Sequence, residues 1–471
     1  MTSPDTAAPR SGPAQPIGLI GLGTMGRNLA LNLADHGTPL FAWERDPDLA
    51  ALARDQLPDG TVWAESPAAL AAALPAPRTI LLMVTAGAAV DAVVAALLPS
   101  LSPGDVVLDG GNADARDTAR RQAGLAGTGV ELIGLGVSGG EEGARFGPAL
   151  MAGGSASAWA RVAPVLGTIA ARSSDGTPCC ALLGAGAAGH FVKTVHNGIE
   201  YAVMQALAET YDLMRHGLGM TPDAIGDVFE RWNRGSLESY LVEIAADVVR
   251  TRDDDGAPLL DKVVDCAGQK GTGRWASLAA LDYGAPAPTI AEAVFARAVS
   301  ARGDDRRALA VPPSPVVLSL DDLEAGLEAA TLAAFVQGFD LIAAADAAEG
   351  WSVDQAAVAR VWRAGCILRA ALLDRLAKAA RTVPPGALLL RATDLGAEMR
   401  AALPGLRRTV AAAAVGGIAA PAMMSALAWV DGMSRERVPA DFLQGLRDRF
   451  GAHRFERTDR PGSHHAEWRG H

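Results

Sequence analysis

The 471-residue sequence predicts an α/β domain at its N-terminal end, a large all-α domain behind it and a short C-terminal tail. Three observations carry that expectation. Up to about residue 185, apolar runs of strand length alternate with Ala-rich helical stretches, the pattern of a mostly parallel sheet with helices on both faces. From roughly 188 to 437 the periodicity is helical and strand-like alternation is nearly absent. From about Val438 the text turns charged and aromatic and closes on HHAEWRGH, a tail that is either frayed or docked onto something.

In chain order, the opening MTSPDTAAPRSGPAQ is rich in Pro, Ser and Ala, and residues 1–14 read as a disordered leader. PIGLIGLGTMGRNLALNLADHG then gives a short apolar strand, a Gly-rich turn and an amphipathic helix, with a second strand at LFAWE. Further strands are expected at TILLMV near 79–84, DVVLDGGN near 105–112 and VELIGLGVSGG near 130–140. These elements make a Rossmann-like α/β domain spanning 15–187. HFVKTVHNGIEYAVMQALAETYDLM and AGLEAATLAAFVQGFDLIAAADAAEG typify the all-α domain, 188–437, where Gly and Pro clusters mark helix ends. Residues 438–471 are the tail.

The net charge of −11 lacks the basic footprint that phosphate backbones require, which argues against nucleic acid as a partner. It leaves room for a small anionic substrate held by a few local cations. Gly, Pro and charged residues interrupt each apolar run before the roughly 20 residues a bilayer requires, so no membrane span is expected. The four cysteines, with Cys179 and Cys180 adjacent, offer neither a disulfide framework nor paired zinc spacing. A reducing cytoplasm is the expected compartment. No metal site is expected, and the His464–His465 pair is read as tail.

Gly21, Gly23 and Gly26 form GxGxxG directly after the apolar IGLI and directly before a helix. The first glycine permits a tight turn, the second lets backbone approach a pyrophosphate, and the third allows close helix–strand packing, with the anion at the helix N-terminus. Glu44, near the end of the second strand, stands where an acid can accept a hydrogen bond from a ribose 2′-hydroxyl. Its neighbour Arg45 could instead pair with a 2′-phosphate. The motif therefore predicts a dinucleotide site, with NAD and NADP both open.

In KTVHNGIEY, residues 193–201, the side chains of Lys193, His196, Asn197 and Glu200 fall on one helix face, while Val192, Val195, Ile199 and Val203 take the other. Such a stripe is either solvated or working. Lys193 and Glu200 are separated by about 10 Å along the axis at 1.5 Å rise per residue, which suits a small substrate better than a salt bridge. The run GAGAAG leads into it, so that backbone or ligand can approach closely.

GLGTMG, DGGNADARDT, GVSGGEEGARFGP, GHFVKTVHNGIEY, DCAGQKGTGRW, AVFARAVS and RDRFGAH follow one another along most of the chain. Together they resemble the 6-phosphogluconate dehydrogenase family, the decarboxylating enzymes of the β-hydroxyacid dehydrogenase group. The resemblance implies oxidation and decarboxylation of 6-phospho-D-gluconate to D-ribulose 5-phosphate and CO2 with reduction of NAD(P)+. It implies that Lys193 is the general base and Glu200 the general acid, with His196, Asn197 and Tyr201 touching substrate. Asn112 would touch both substrate and nicotinamide, and Ser138, Gly139 and Gly140 would cradle the substrate's carboxylate end. Lys270, Thr272 and Arg297 would bind the sugar phosphate, joined by Arg447 and His453 from the partner's tail in a homodimer. The dinucleotide would lie along Gly21, Gly23, Thr24, Met25 and Gly26, with Glu44, Arg45 and Asp46 at its adenosine end and Val84 and Asn112 further along.

The implied chemistry agrees with the residue types. Removing a hydroxyl proton as hydride leaves requires a neutral lysine, hence one whose pKa is lowered. Once protonated, that ammonium can stabilise the charge that develops as CO2 departs, so no divalent metal is called for. Two departures bear on the cofactor: Glu44-Arg45-Asp46 places carboxylates where the family has a small polar and a hydroxyl residue, and Thr85 stands where a lysine is common. Against a family default of NADP, they suggest dual or NAD-leaning use. The competing readings are a relative acting on another sugar acid and a catalytically silent dinucleotide sensor.

Overall fold

The computed structural model describes residues 15–269 and 271–468; the expected leader and Lys270 lie outside the described residues. An eight-stranded sheet organises the N-terminal part in the order β3-β2-β1-β4-β5-β6-β7-β8. The strands are β1 (Ile17–Ile20), β2 (Leu40–Trp43), β3 (Val62–Trp63), β4 (Thr79–Leu82), β5 (Val106–Asp109), β6 (Glu131–Ser138), β7 (Ala149–Gly153) and β8 (Cys180–Gly184). Neighbours from β3 to β6 are parallel, β7 reverses against β6, and β8 runs parallel to β7.

Burial on both faces explains the unbroken apolar strands. Leu19 and Leu81 belong to one core with Leu29 and Leu33 of α1 (Thr24–Asp35), whereas Ile20 and Leu82 join Leu70, Val90 and Leu97 on the opposite side. The other helices of this part are α2 (Pro47–Gln56), α3 (Pro67–Ala73), α4 (Ala88–Leu97), α5 (Ala115–Leu125), α6 (Gly140–Phe146) and α7 (Ala156–Ile169). Strands β3, β7 and β8 go beyond the sequence expectation. Two residues are too few for a periodic signal in β3, and ALMAG and CALLG mix small residues with apolar ones, which periodicity alone does not separate from helix.

The sheet delivers the chain into α8 (Ala188–Asp212), whose first five turns are almost wholly buried. Its N-terminal turn lies against the sheet so closely that a side-chain carbon on Gly189 would overlap the backbone of Gly134, Met151 and Gly153. The GAGAAG lead-in thus serves approach of backbone to backbone. Beyond it come α9 (Pro222–Trp232), α10 (Tyr240–Arg250), α11 (Thr272–Asp282), α12 (Pro288–Ser300), α13 (Gly303–Ala308) and α14 (Leu320–Glu349). They are followed by α15 (Gln355–Val361), α16 (Leu372–Thr382), α17 (Thr393–Gly416) and α18 (Pro421–Met433).

Helix α14 is long and apolar enough by length and composition to cross a membrane, which the sequence reading did not anticipate, but 72% of its most apolar window is buried inside the protein. It packs against α8 and α17, and its Gln337 amide bonds both the backbone and the hydroxyl of Thr289. A core helix is the physical reason for its composition. The chain to Ala426 forms one compact unit, and a second, small unit begins at Leu427. Taken by itself, the second unit carries α19 (Ala440–Gly451) and a short antiparallel hairpin of β9 (Phe455–Glu456) and β10 (Ser463–His464).

Candidate active site

The glycine turn has the geometry its motif requires. Gly21 adopts φ +94°, and a side-chain carbon on Gly26 would overlap the Gly21 carbonyl, so α1 can start only against a bare turn. Gly23, by contrast, faces open space, with nothing within 4 Å of where a Cβ would stand. It caps α1 without any side-chain hydrogen bond, leaving the first-turn amides and the positive helix end available to an anion. Thr24 is exposed and Met25 half-buried on the same turn. Val84, just past β4, lies against Gly21, and Asn112, just past β5, is exposed. These positions surround the switch point between β1 and β4, where open α/β sheets bind their ligands.

Glu44, Arg45 and Asp46 are arranged differently from the simple expectation. The Glu44 carboxylate accepts from the Leu22 amide and from the Asp46 amide at 2.9 Å, so both its oxygens already serve backbone. The Asp46 carboxylate caps α2, accepting from Asp48 and Leu49. Arg45 is exposed.

Of the four stripe residues Lys193, His196 and Asn197 are buried, and Glu200 is half-buried. Lys193 is 7% exposed and His196 is fully enclosed, with the ring edge of Trp362 against it at a centroid distance of 5.4 Å. The Lys193 Nζ donates to Ser138 Oγ at 3.1 Å, and Ser138 Oγ lies 3.4 Å from His196 Nε2. His196 Nδ1 is in turn 3.3 Å from the Asn197 side-chain oxygen. Burial brings the Lys193 amine down to about 8, against partial opposition from the Glu200 carboxylate. Burial likewise holds the His196 ring neutral, well below its ordinary value, with the Lys193 charge adding to the effect. Burial raises the Glu200 carboxyl, opposed by Lys193 and Arg297. A base biased toward its neutral form and an acid biased toward its protonated form therefore face one region from one helix.

Further along, Tyr201 is buried and the Arg297 guanidinium sits 3.5 Å over its ring centroid while donating to the Gly268 carbonyl at 2.9 Å. Thr272 opens α11 directly behind Gly271, and the next residue, Gly273, packs flat on the Tyr201 ring. Glu200, Gly139 and Gly140 line a cleft of about 680 Å³, room for a phosphorylated sugar acid. Ser138, Lys193 and Arg297 thus come from β6, α8 and α12 and Asn112 from the loop after β5, whereas Arg447 and His453 lie exposed on the second unit.

Some residues of this region carried no readable signal. Cys366 is buried within reach of the Lys193 charge, and Glu141, Tyr240 and Arg369 line the same cleft. His190, one turn before Lys193, bonds Thr118 Oγ1 at 2.7 Å, and burial lowers the pKa of its ring, opposed by Asp109 and by the backbone of Asp109 and Gly111. Only the helical step from His190 to Lys193 hinted at a shared face. Among the described residues no cluster of His, Cys, Asp or Glu could hold a metal ion.

Residues 16–184 match the family model described as the NAD binding domain of 6-phosphogluconate dehydrogenase, and residues 189–468 match its C-terminal domain. The decarboxylating 6-phosphogluconate dehydrogenase of Treponema pallidum is 44% identical over 96% of this chain and 97% of its own length. Decarboxylating enzyme 2 of Saccharomyces cerevisiae is 45% identical, covering 93% and 92% respectively. Among solved structures, the 6-phosphogluconate dehydrogenase of Plasmodium falciparum, described in its apo form and in complex with NADP+ and with 6-phosphogluconate, superposes with a TM-score of 0.91. It is 34% identical and covers 96% of this chain and all of its own. Both parts of the chain being matched, and relatives aligning over nearly their full length, the protein belongs to the 6-phosphogluconate dehydrogenase family.

Proposed function

We propose that Lys193 is the base and Glu200 the acid with which this member of the family oxidatively decarboxylates 6-phospho-D-gluconate. The observation that carries the assignment is the buried Lys193 amine, brought to about 8 and held 3.1 Å from Ser138 Oγ. Neutral Lys193 takes the proton of the substrate's C3 hydroxyl; Gly21, Gly23 and Gly26 would hold the dinucleotide, which would supply the hydride acceptor for C3. The resulting ammonium donates to the new C3 carbonyl oxygen, so that the electron pair left when the C1–C2 bond breaks and CO2 departs is drawn toward that oxygen. Glu200 then protonates the carbon that lost CO2, and the enediol collapses to D-ribulose 5-phosphate. Ser138, Gly139 and Gly140 hold the carboxylate end, with Asn112, His196, Asn197 and Tyr201 on the hydroxyls and Lys270, Thr272 and Arg297 on the phosphate. A Lys193→Met chain that still binds dinucleotide but turns over at least about a thousandfold more slowly is the expected outcome; turnover retained near the level of the unaltered chain would contradict the base.

For the cofactor we infer dual use of NADP and NAD. Arg45 is free to meet a 2′-phosphate, while the charges of Glu44 and Asp46 beside it reduce the gain. The ratio of kcat/KM with the two cofactors tests this, and a preference for NADP of about a hundredfold or more would overturn it.

The working assembly we infer is a homodimer in which Arg447 and His453 complete the partner's phosphate site. Supporting it are the apolar side chains that the chain leaves exposed, among them Phe295 and Val299 of α12, Leu309, and Phe442, Leu446 and Phe450 along one face of α19. All four cysteines are free thiols, which supports a cytoplasmic setting.

A further inference from the structure

Within the second unit, one carboxylate collects an unusual share of the hydrogen bonds. Asp448, on α19, is fully buried although both sequence neighbours are exposed. Its Oδ1 accepts from the Arg454 amide at 2.8 Å and lies 2.9 Å from His465 Nδ1. Its Oδ2 accepts from the Ala466 amide at 3.1 Å and from Trp468 Nε1 at 2.7 Å. Burial alone would raise this carboxyl, but the His465, Trp468, Ala466 and Arg454 donors outweigh it and hold the group well below the ordinary carboxylate range. Asp448 therefore acts as an anion to which the turn after α19 and the segment following β10 are both tied.

What those ties control is the turn carrying His453. Ala452 and Arg454, on either side of it, adopt φ +50° and +63°, a left-handed conformation that such side chains rarely take. Both are fixed by residue 448: its carbonyl accepts from the Ala452 amide at 2.9 Å and its carboxylate from the Arg454 amide. Arg447, the residue before it, is held through Gln444, whose Oε1 accepts from the guanidinium at 2.9 Å and whose amide donates to the Arg454 carbonyl at 2.6 Å. The His453 ring rests edge-on to Phe450 with centroids 5.7 Å apart. Two cationic or cationisable side chains are thus presented outward from one small frame whose interior is the Asp448 carboxylate.

We propose that Asp448 is a positioning residue for phosphate recognition, fixing Arg447 and His453 in the geometry with which the tail meets the phosphate of the sugar acid. It touches no substrate itself. The proposal rests on the reading of Arg447 and His453 as phosphate ligands supplied to a partner subunit. Without the carboxylate, the left-handed turn at 452–454 loses its anchor and the hairpin its attachment, so the two ligands lose their common orientation while the base and acid on α8 are untouched.

The test compares Asp448→Asn and Asp448→Ala with Arg447→Ala and His453→Ala in steady-state assays on the full-length protein. Asp448→Asn preserves size and one acceptor oxygen, which keeps the comparison meaningful should Asp448→Ala fold poorly. Expected is a KM for 6-phosphogluconate raised by about tenfold in Asp448→Ala and less in Asp448→Asn, with the KM for the dinucleotide unchanged and kcat nearly so. An unchanged substrate KM in both Asp448 variants, beside a raised one in Arg447→Ala, overturns the positioning role. An unchanged KM in Arg447→Ala and His453→Ala overturns the reading of the ligands on which it rests. Mixed dimers with Lys193→Met chains then test the direction of supply: the intact tail of the Lys193→Met chain should return the Asp448→Ala chain's own site to the ordinary KM. Mixed dimers that keep the raised KM would overturn supply across the interface.

Discussion

Lys193 and Arg447 are both cations assigned to one substrate, yet they occupy opposite surroundings. Lys193 is buried against β6, with Ser138 Oγ as its hydrogen-bond acceptor and Trp362 closing over the neighbouring imidazole. Arg447 is exposed on a helix whose own apolar face is also exposed. The difference follows from the job. A base must be able to lose its proton, which in a lysine demands desolvation, whereas a ligand for a phosphate must never lose its charge. Tuning requires burial; recognition requires only orientation, which the tail obtains from hydrogen bonds to Asp448.

This contrast breaks most sharply at Lys193. Lys193→Met should lower kcat by roughly 10³-fold or more, the scale of a lost general base, and an initial-rate assay at saturating substrate reads it directly. Arg447→Ala should cost about tenfold in the KM for 6-phosphogluconate and little in kcat, the signature of a contact made equally in ground and transition states. A large kcat loss there would mean that the tail takes part in the chemistry and that the division drawn above is false.

The pH dependence sharpens the buried half. Because burial lowers the Lys193 amine from its ordinary value to about 8, the neutral, reactive form is gained as pH rises, so kcat/KM should climb up to about pH 8 and then level. Were Lys193 solvated, the same limb would continue toward pH 10. Ser138→Ala removes the oxygen that accepts from the ammonium, which should move the limb to lower pH and reduce kcat by a smaller factor, about tenfold. A limb that stays in place in this variant would show that the serine serves the turn alone. Smallest is the effect of Glu44→Gln: one charge is removed and one of the two oxygens that accept from the Leu22 and Asp46 amides is kept, and the ratio of kcat/KM for NADP over NAD should rise by only a few-fold.

The buried half was also the more legible in sequence. A helix repeats every 3.6 residues, so the spacing of Lys193, His196, Asn197 and Glu200 gave their common face, and the alternation of apolar runs gave the parallel strands β1, β2, β4, β5 and β6. What periodicity cannot carry is pairing across long separations. The approach of Ser138 to Lys193, of Cys366 to the same pocket and of His190 to Thr118 depends on how the sheet meets α8. Glu44 was correctly placed near the turn, but a sequence does not say that its carboxylate turns back onto the Leu22 amide. The bonding of Asp448 was hidden for the same reason, since its four partners come from residue 454 and from residues 465–468.

One feature of the sheet reaches into the birth of the molecule. Along β6, the small residues Gly134, Gly136 and Ser138 lie against His190, Lys193 and His196 of α8 in turn, with Lys193 55 positions after Ser138. That interval includes β7 and β8, so the lysine enters its groove only when α8 docks on the folded sheet. Until then it is an ordinary solvated ammonium with an ordinary affinity for its proton. Reactivity is therefore acquired late, as a by-product of docking α8, and an incompletely folded chain carries the catalytic residues without the base they are meant to provide.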